Sequence, residues 1–306
     1  RGLGDVYKRQ VQGSKYWFNC NPDGPYHWFK INWINKSTGY LGKEKTAKVR
    51  AEAAAKGLEA GLKNILHVHF TMDDNLSLSE EIKARYRSMY TGVFFKRYIL
   101  GLWAMAEGII YDMFDADKHV QKITDFFRCL KDGGRYVSCD YGTQNATVFL
   151  LWNKGNNGKW YCVREYYYSG RAKGKQKTDG EYADDFEKWL DGVPIRAVIV
   201  DPAAASFIAE LRKRGYRVLK ADNDVEDGIR EVASMLNMGL LVFCDTCINT
   251  IMEFGSYIWD EKAAQQGEDR PVKENDHAMD AVRYFVYTIL SKRTGRVKNK
   301  AKYGFD

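Results

Sequence analysis

The sequence predicts a mixed α/β fold in which one sheet is flanked by helices. Two short, β-branched apolar runs have the character of buried strands, and each is followed by a turn signal. The first run ends at Asp140 and precedes Gly142, and the second ends at Asp201 and precedes Pro202. A later segment is helical, because its apolar residues recur at helical spacing and make one face apolar. These residues are Met279, Val282, Val286 and Leu290.

The segments between these points follow an order along the chain that is typical of a mixed sheet. Hairpin strands come first, and helices and strands then alternate, which implies a mixed sheet with helices on its faces. This order fits an RNase H-like domain. The predicted strands are Tyr136 to Asp140, Ala146 to Trp152, Trp160 to Tyr168, the run ending in Asp201, and Tyr216 to Lys220, and the predicted helices are Glu181 to Leu190, Phe207 to Arg214 and Gly228 to Leu236.

Acidic residues stand at the polar ends of these apolar runs. Ligands of such sheets gather at the carboxyl ends of strands, where Asp140 and Asp201 both lie. Asp280 and His277 are three residues apart on the predicted helix, so they share one side of it. Carboxylates grouped in this way can hold hard divalent cations and indicate a nuclease. Either strand-end aspartate alone is more often a turn former, and Asp276 has the position of a helix N-cap.

Several blocks between Gly13 and Tyr287 resemble the large subunit of tailed-phage terminases, the DNA-packaging motors. The segment beginning at Trp17 is similar to the one that carries the coupling motif of that family's ATPase domain, and the segments beginning at Thr71 and Arg97 resemble the end of that domain. The nuclease signatures are Asp140-Tyr-Gly, Asp201-Pro-Ala and Asp276-His-Ala-Met-Asp-Ala-Val-Arg-Tyr. The last of them is the most specific string.

The resemblance implies a mechanism and a set of ligands. Hydrolysis of concatemeric double-stranded DNA would use two ions, Mg²⁺ or Mn²⁺, one activating water and the other stabilising the leaving oxygen. Asp140, Asp201 and Asp280 would hold the ions, and His277 would be an accessory ligand. Its imidazole makes Mn²⁺ the expected preference.

The upstream part of the chain resembles the C-terminal part of a P-loop ATPase domain that lacks its Walker motifs. Asn19, Asn21 and Pro22 would lie in that domain's coupling motif. No Gly-x-x-x-x-Gly-Lys-Ser/Thr motif occurs in the sequence, so ATP is expected to serve only the full-length protein. The family further implies a small terminase subunit and a portal or procapsid as partners.

Composition and motifs suggest a domain division and a location. The 306 residues have room for two cores, and neither a signal peptide nor a membrane-spanning stretch is visible, so an intracellular protein is expected. The resemblance implies the cytoplasm of the infected bacterial host. Helices are also predicted for Ala47 to Leu62 and Leu78 to Tyr90. The predicted parts are a non-native leader (1–10), an ATPase remnant (11–115), a linker (116–134), the nuclease domain (135–291) and a basic tail (292–306).

The formal net charge of +7 suits a polyanionic partner. A Gly-rich basic loop carries four cations that could neutralise phosphates without reading sequence. A solvated loop is the alternative. The four cations are Arg171, Lys173, Lys175 and Lys177.

Three other features have weaker interpretations. The pair Cys244 and Cys247 is more simply explained as packed thiols than as a zinc site, because no second pair completes it. His67 and His69 have the alternation of a strand and are expected to be packed. Two other functional classes remain open: another RNase H-like enzyme such as a transposase or junction resolvase, and a DNA-gripping motor part without catalysis.

Overall fold

The computed structural model describes residues 17–40, 51, 55, 63–142 and 145–291. The predicted leader, the basic tail and most of the predicted helix Ala47 to Leu62 lie outside these residues. Within them, no helix is both long enough and apolar enough to cross a bilayer.

The upstream module pairs two short strands and adds helical segments. Strands β1 and β2 are parallel neighbours. The helix predicted for Leu78 to Tyr90 is confirmed with tighter bounds, and the Ser79 hydroxyl caps it by accepting from the Ile82 amide at 3.4 Å. The elements are α1 (Trp28–Asn32), a 3₁₀ turn (Ile34–Lys36), β1 (Ser37–Tyr40), β2 (Lys63–His67), a 3₁₀ turn (Met72–Asp74), α2 (Glu80–Met89), α3 (Gly92–Phe94) and a π-helical turn (Phe95–Ile99).

The segment predicted as a linker, 116–134, contains short ordered elements. They are α4 (Ala116–His119), β3 (Val120–Gln121), α5 (Ile123–Phe126) and a 3₁₀ turn (Phe127–Cys129). The buried His119 ring contacts the Leu236 carbonyl through Nε2 at 3.0 Å. This contact fixes the start of the segment against the later helix that contains Leu236.

The main sheet has seven strands within the described residues, in the order β3-β9-β6-β5-β4-β7-β8. Only β4 with β5 and β5 with β6 are antiparallel. The remaining elements are β4 (Tyr136–Asp140), β5 (Ala146–Lys154), β6 (Trp160–Ser169), α6 (Gly170–Lys173), α7 (Asp179–Leu190), β7 (Ala197–Val200), α8 (Ala205–Lys213), β8 (Val218–Lys220), α9 (Val225–Asn237), β9 (Leu241–Cys244), α10 (Ile248–Ser256), α11 (Glu261–Gln265), α12 (His277–Phe285) and a final π-helical turn (Val286–Leu290).

The predicted mixed sheet flanked by helices is therefore confirmed. The sequence interpretation missed β9 and α10. It also expected a loop where α6 forms a single helical turn. Strand β9 is only four residues long, and it is recognisable as a strand only because it pairs with β3 and β6.

Helices cover both faces of the sheet. One face packs against α7 and α8, with Phe186 and Phe207 among its fully buried side chains. The other packs against α9, α10 and α12, and the Trp152 and Phe285 rings stack there with centroids 4.4 Å apart. The upstream residue Tyr111 belongs to this second core. The upstream module is thus joined to the sheet by shared apolar packing.

A buried ion cluster makes a second connection between the two parts. The Arg97 guanidinium is 1% exposed, contacts Asp269 and lies 3.0 Å from Asp23. It also donates to the Ala104 carbonyl at 3.0 and 2.6 Å. Asp23 belongs to the upstream segment and Asp269 to the loop before α12. Arg97 therefore ties the upstream segment to the loop that leads into the predicted site.

Candidate active site

Two of the predicted acids lie side by side at one edge of the sheet. Strands β4 and β7 are parallel, and their register pairs Cys139 with Val200. Asp140 follows Cys139 as the last residue of β4, and Asp201 directly follows Val200 at the end of β7. Both carboxylates therefore lie where these strands end. Helix α12, which begins at His277, packs directly on β4 and β5. The fold thus brings together the residues that sequence reasoning selected.

Asp140 and His277 form a hydrogen-bonded pair. The His277 Nδ1 atom lies 2.9 Å from Asp140 Oδ2, although the two residues are 137 positions apart. Burial raises the pKa of Asp140 to about 6, against the hydrogen bond from His277, and the negative charge of Asp280 adds to the rise. Burial opposes protonation of His277, but the hydrogen bond and charge of Asp140 outweigh it and raise the pKa of His277. The hydrogen bond therefore links the protonation of the two side chains.

Asp280 is held between two cations. Its Oδ1 accepts from Arg283 at 2.7 Å, and its Oδ2 accepts from the Lys273 ammonium at 3.4 Å. The same ammonium donates to Asp276 at 3.0 Å. The side chains of Asp276 and Asp280 are 7% and 10% exposed. These partners neutralise acids that would otherwise be buried without compensation.

The hydroxyl of Tyr284 lies between Asp201, to which it donates a hydrogen bond, and the charges of Asp140 and Asp280. Tyr284 donates to Asp201 Oδ2 at 2.6 Å, while the other Asp201 oxygen accepts from the Ala203 amide. Burial raises the pKa of Tyr284 strongly, and the charges of Asp280 and Asp140 raise it further. One hydroxyl therefore lies within electrostatic reach of all three predicted acids. Tyr284 ends the signature string, but its role was not predicted.

The N-terminus of α12 is capped by a residue from another helix. Asp276 occupies the N-cap position, yet its side chain makes no cap hydrogen bond. Glu253 of α10 instead accepts from the amides of Ala278 and Met279 at 2.7 and 3.2 Å. The Tyr167 hydroxyl also donates to Glu253, at 2.9 Å. Asp276 thus has the N-cap position, as predicted, but the side chain of Glu253 caps the helix and fixes its start next to His277.

The donor set has the chemistry of a divalent metal centre. Three carboxylates and an imidazole are ligands that Mg²⁺ and Mn²⁺ accept. Burial is the main cause of the raised pKa of Asp140, and a bound cation would favour its ionised form. In the described conformation, however, no three His, Cys, Asp or Glu side chains are grouped closely enough to hold an ion. The residue types and their charge therefore fit a cation, while the side chains are turned toward protein partners.

The predicted basic loop begins at the same edge of the sheet. Asp140 pairs with Val148, which pairs with Tyr167, and α6 begins shortly after Tyr167. Arg171 and Lys173 are exposed. The segment after β6 therefore presents cations close to the edge where the acids lie.

The other two cations of this segment have acidic neighbours. Lys175 is 69% exposed and lies 3.6 Å from Glu181. Lys177 is 18% exposed, contacts Asp185, and lies over the Tyr168 ring at 4.1 Å from its centroid. Lys177 is thus largely committed to internal partners.

The other candidate residues lie away from the acids. Asn19 and Asn21 are exposed and Pro22 is half-buried, directly before the Asp23 that contacts Arg97. The Cys247 sulfur lies 3.8 Å from that of Cys162, and both thiols are free and buried. The β2 strand ends at His67, and the His69 ring instead contacts the Gly101 carbonyl at 2.9 Å. These cysteines are therefore packed thiols, whereas the exposed His69 is not packed as expected and instead contacts a backbone carbonyl.

The fold and the acids at the ends of β4 and β7 define an RNase H-like domain, and comparison with known proteins identifies its kind. A family model described as the terminase RNaseH-like domain matches residues 139–288. The chain is therefore similar to phage large terminases. It is 26% identical over 250 residues to the large terminase subunit of Escherichia phage T5, covering 78% of this chain.

A solved relative shows the same architecture. The large terminase of a thermophilic bacteriophage, determined in complex with ADP, is 52% identical and superposes with a TM-score of 0.79 over 94% of this chain. A second crystal form of that protein gives the same identity and TM-score over 93%. The chain spans 55% of the length of the T5 protein and 65% of the length of the thermophilic phage protein.

Proposed function

We propose that this chain cuts double-stranded DNA as the metal-dependent endonuclease of a phage packaging terminase. The observation that carries the proposal is the convergence of Asp140, Asp201, His277 and Asp280 around one sheet edge, with the Tyr284 hydroxyl among them. Similarity to large terminases supports the same function. DNA concatemers are the expected substrate.

Asp140, Asp201 and Asp280 would hold two divalent ions, Mg²⁺ or Mn²⁺, with His277 as an accessory ligand. Such ions, when bound, activate water and stabilise the leaving oxygen of the phosphodiester. The chain's own contribution is positional. Glu253 fixes the start of α12, and the sheet fixes Asp140 and Asp201, so the ligands come from elements that packing holds rigid.

DNA would be gripped by phosphate contacts rather than by reading bases. Arg171 and Lys173 are the best placed cations, because they are exposed at the sheet edge that carries the acids. Lys175 could join them if it leaves Glu181. Lys177 is the weakest of the four candidates, since Asp185 already neutralises it. No motif that would read base edges is evident, so weak sequence preference is expected.

The wider role follows from the family. We propose that the nuclease works in the cytoplasm of an infected bacterium, as part of an ATP-driven packaging motor that includes a small terminase subunit and a portal or procapsid. The segment with Asn19, Asn21 and Pro22 would couple the motor to the nuclease, and the adjoining contact of Asp23 with Arg97 provides a physical connection for it. The chain by itself is not expected to hydrolyse ATP.

A plasmid-cleavage assay with Mn²⁺, with Mg²⁺ and with EDTA tests this function. Asp140→Asn should abolish cleavage, because it removes a charged ligand without removing packing volume. Asp117→Asn is the matched control, since Asp117 is an exposed aspartate on α4. Cleavage by wild-type protein in EDTA, or wild-type rates in Asp140→Asn, would overturn the assignment.

The alternative of a DNA-gripping part without catalysis has one observation in its favour. Each predicted acid already has a protein partner: His277 for Asp140, Tyr284 for Asp201, and Arg283 for Asp280. A purely structural acid cluster would have the same pairings. DNA binding without cleavage over a full range of Mn²⁺ concentrations would favour this alternative.

A further inference from the structure

Lys273 has a mostly exposed side chain whose ammonium reaches the buried acid cluster. Its ammonium contacts both Asp276 and Asp280, yet its own side chain is 63% exposed, whereas the two carboxylates are nearly buried. Burial opposes its charge, but Asp280 and Asp276 outweigh that cost and raise the pKa of Lys273. It is therefore a cation that reaches inward from the surface to buried acids.

We propose that Lys273 is the internal counter-cation of the metal-free acid cluster, and that its ammonium leaves Asp280 when a divalent cation binds there. The inference deepens the proposed function and rests on it, because it takes Asp280 as a metal ligand. It also accounts for the described conformation, in which Asp280 is turned toward protein cations. Lys273 would be a positioning residue that competes for the same carboxylate oxygen.

The second cation on Asp280 cannot take this role. Arg283 is 2% exposed, and its Nη1 donates to the carbonyls of Asn223 and Asp224 at 2.9 and 3.2 Å. Its aliphatic stem passes over Gly228, where an added Cβ would lie 2.5 Å from Arg283 Cγ. Arg283 is thus fixed by packing and by carbonyl contacts. It binds Asp280 Oδ1 and leaves Oδ2 to Lys273.

The backbone around Lys273 is held in place, so only its side chain is free to move. The Val272 amide donates to the Ile258 carbonyl at 3.0 Å, and Pro271 forms a β-bridge with Trp259. Asn275 has a φ of 51°, a left-handed turn conformation that asparagine tolerates. This turn brings Lys273 back over the start of α12. A long, mostly exposed side chain can rotate into solvent once a bound cation neutralises the carboxylates in its place.

Calorimetric titration of the metal-free chain with MnCl₂ tests the proposal. The variants are Lys273→Met, which keeps the stem but removes the charge, and Lys273→Arg, which keeps the charge. Lys262→Met is the matched control, because Lys262 is an exposed lysine on the neighbouring α11. Thermal unfolding in EDTA is measured on the same samples to confirm that each variant is folded.

Lys273→Met should bind Mn²⁺ about three- to tenfold more tightly than wild type, a modest factor because the ammonium is largely exposed. Its melting temperature in EDTA should fall, since two buried carboxylates lose a neutralising partner. Lys273→Arg and Lys262→Met should bind Mn²⁺ like wild type. Unchanged or weaker Mn²⁺ binding by Lys273→Met would overturn the proposal. Failure of the wild-type chain itself to bind Mn²⁺ would instead refute the proposed function.

Discussion

Glu253 gives a sharp test of how the site is built. The residue is 4% exposed, and burial raises its pKa from 4.5 to about 7, against the hydrogen bonds from Tyr167 and from the start of α12. Because the folded-state pKa lies above the unfolded value, the contribution of Glu253 to stability is present at low pH. It is lost as the pH rises through about 7. Ionised Glu253 is therefore expected to weaken the fold at alkaline pH.

The size of this effect on stability follows from the rise in the pKa of Glu253. A rise of roughly 2.5 pKa units corresponds to about 3 kcal/mol between the two protonation states. Glu253→Gln cannot ionise, and its carboxamide oxygen can still accept from Ala278 and Met279. The free energy of unfolding of wild type, relative to that of this variant, should therefore fall by about 2–3 kcal/mol between about pH 5 and pH 8.

Urea denaturation at about pH 5 and pH 8, in EDTA, measures this difference. Other acids whose pKa is raised by burial, such as Asp140 and Glu226, are present in both proteins. Their contributions to the pH dependence of stability therefore cancel in the comparison. Glu261→Gln is the control, because Glu261 is an exposed glutamate on α11. Parallel pH profiles for wild type and Glu253→Gln would refute the expectation, since they would mean that Glu253 does not titrate in this range.

Three further outcomes are expected. Arg97→Met should lower the free energy of unfolding in urea by about 3–5 kcal/mol, because it leaves a buried carboxylate unpaired, whereas Arg87→Met on the exposed face of α2 should cost under about 1 kcal/mol. Replacing Arg171 and Lys173 with Ala should reduce the salt slope of DNA binding by up to about 0.9 for each phosphate that is no longer neutralised, and an unchanged slope would exclude phosphate contacts. His277→Ala should lower the apparent affinity for Mn²⁺ more than that for Mg²⁺, and equal reductions would place His277 outside the ligand set.

The parts of the fold that could be predicted are those that the local sequence specifies. The strand that ends at Asp140 was predicted with its observed bounds, because β-branched and apolar residues fill it and a turn follows. The helix with Asp280 was recognisable from its apolar spacing. Strand β9 could not be recognised, because four apolar residues before a turn fit several structures. Pairing with β3 and β6 decides among them.

The sequence pointed to the acids that the fold groups at this edge, although their role as ligands stays a prediction, and it did not point to their protein partners. The pattern of the sheet predicts carboxylates at the strand ends. The fold built on that pattern places His277 next to Asp140. Lys273 and Glu253 gave no such signal, because a lysine in a loop and a glutamate on an amphipathic helix are common surface residues. Their roles arise from contacts that only the assembled fold creates.

The burial of the acids explains why these partners are needed. Asp276 and Asp280 lie at the start of α12, where the helix dipole favours negative charge, but that benefit is far smaller than the cost of removing two carboxylates from water. Glu253 adds a third carboxylate to the same helix start. Such a cluster would be destabilising unless cations neutralised it, and Arg283 and Lys273 supply the positive charge against Asp276 and Asp280. If a divalent cation binds at this edge, as the proposed function requires, it would favour the ionised forms of these acids.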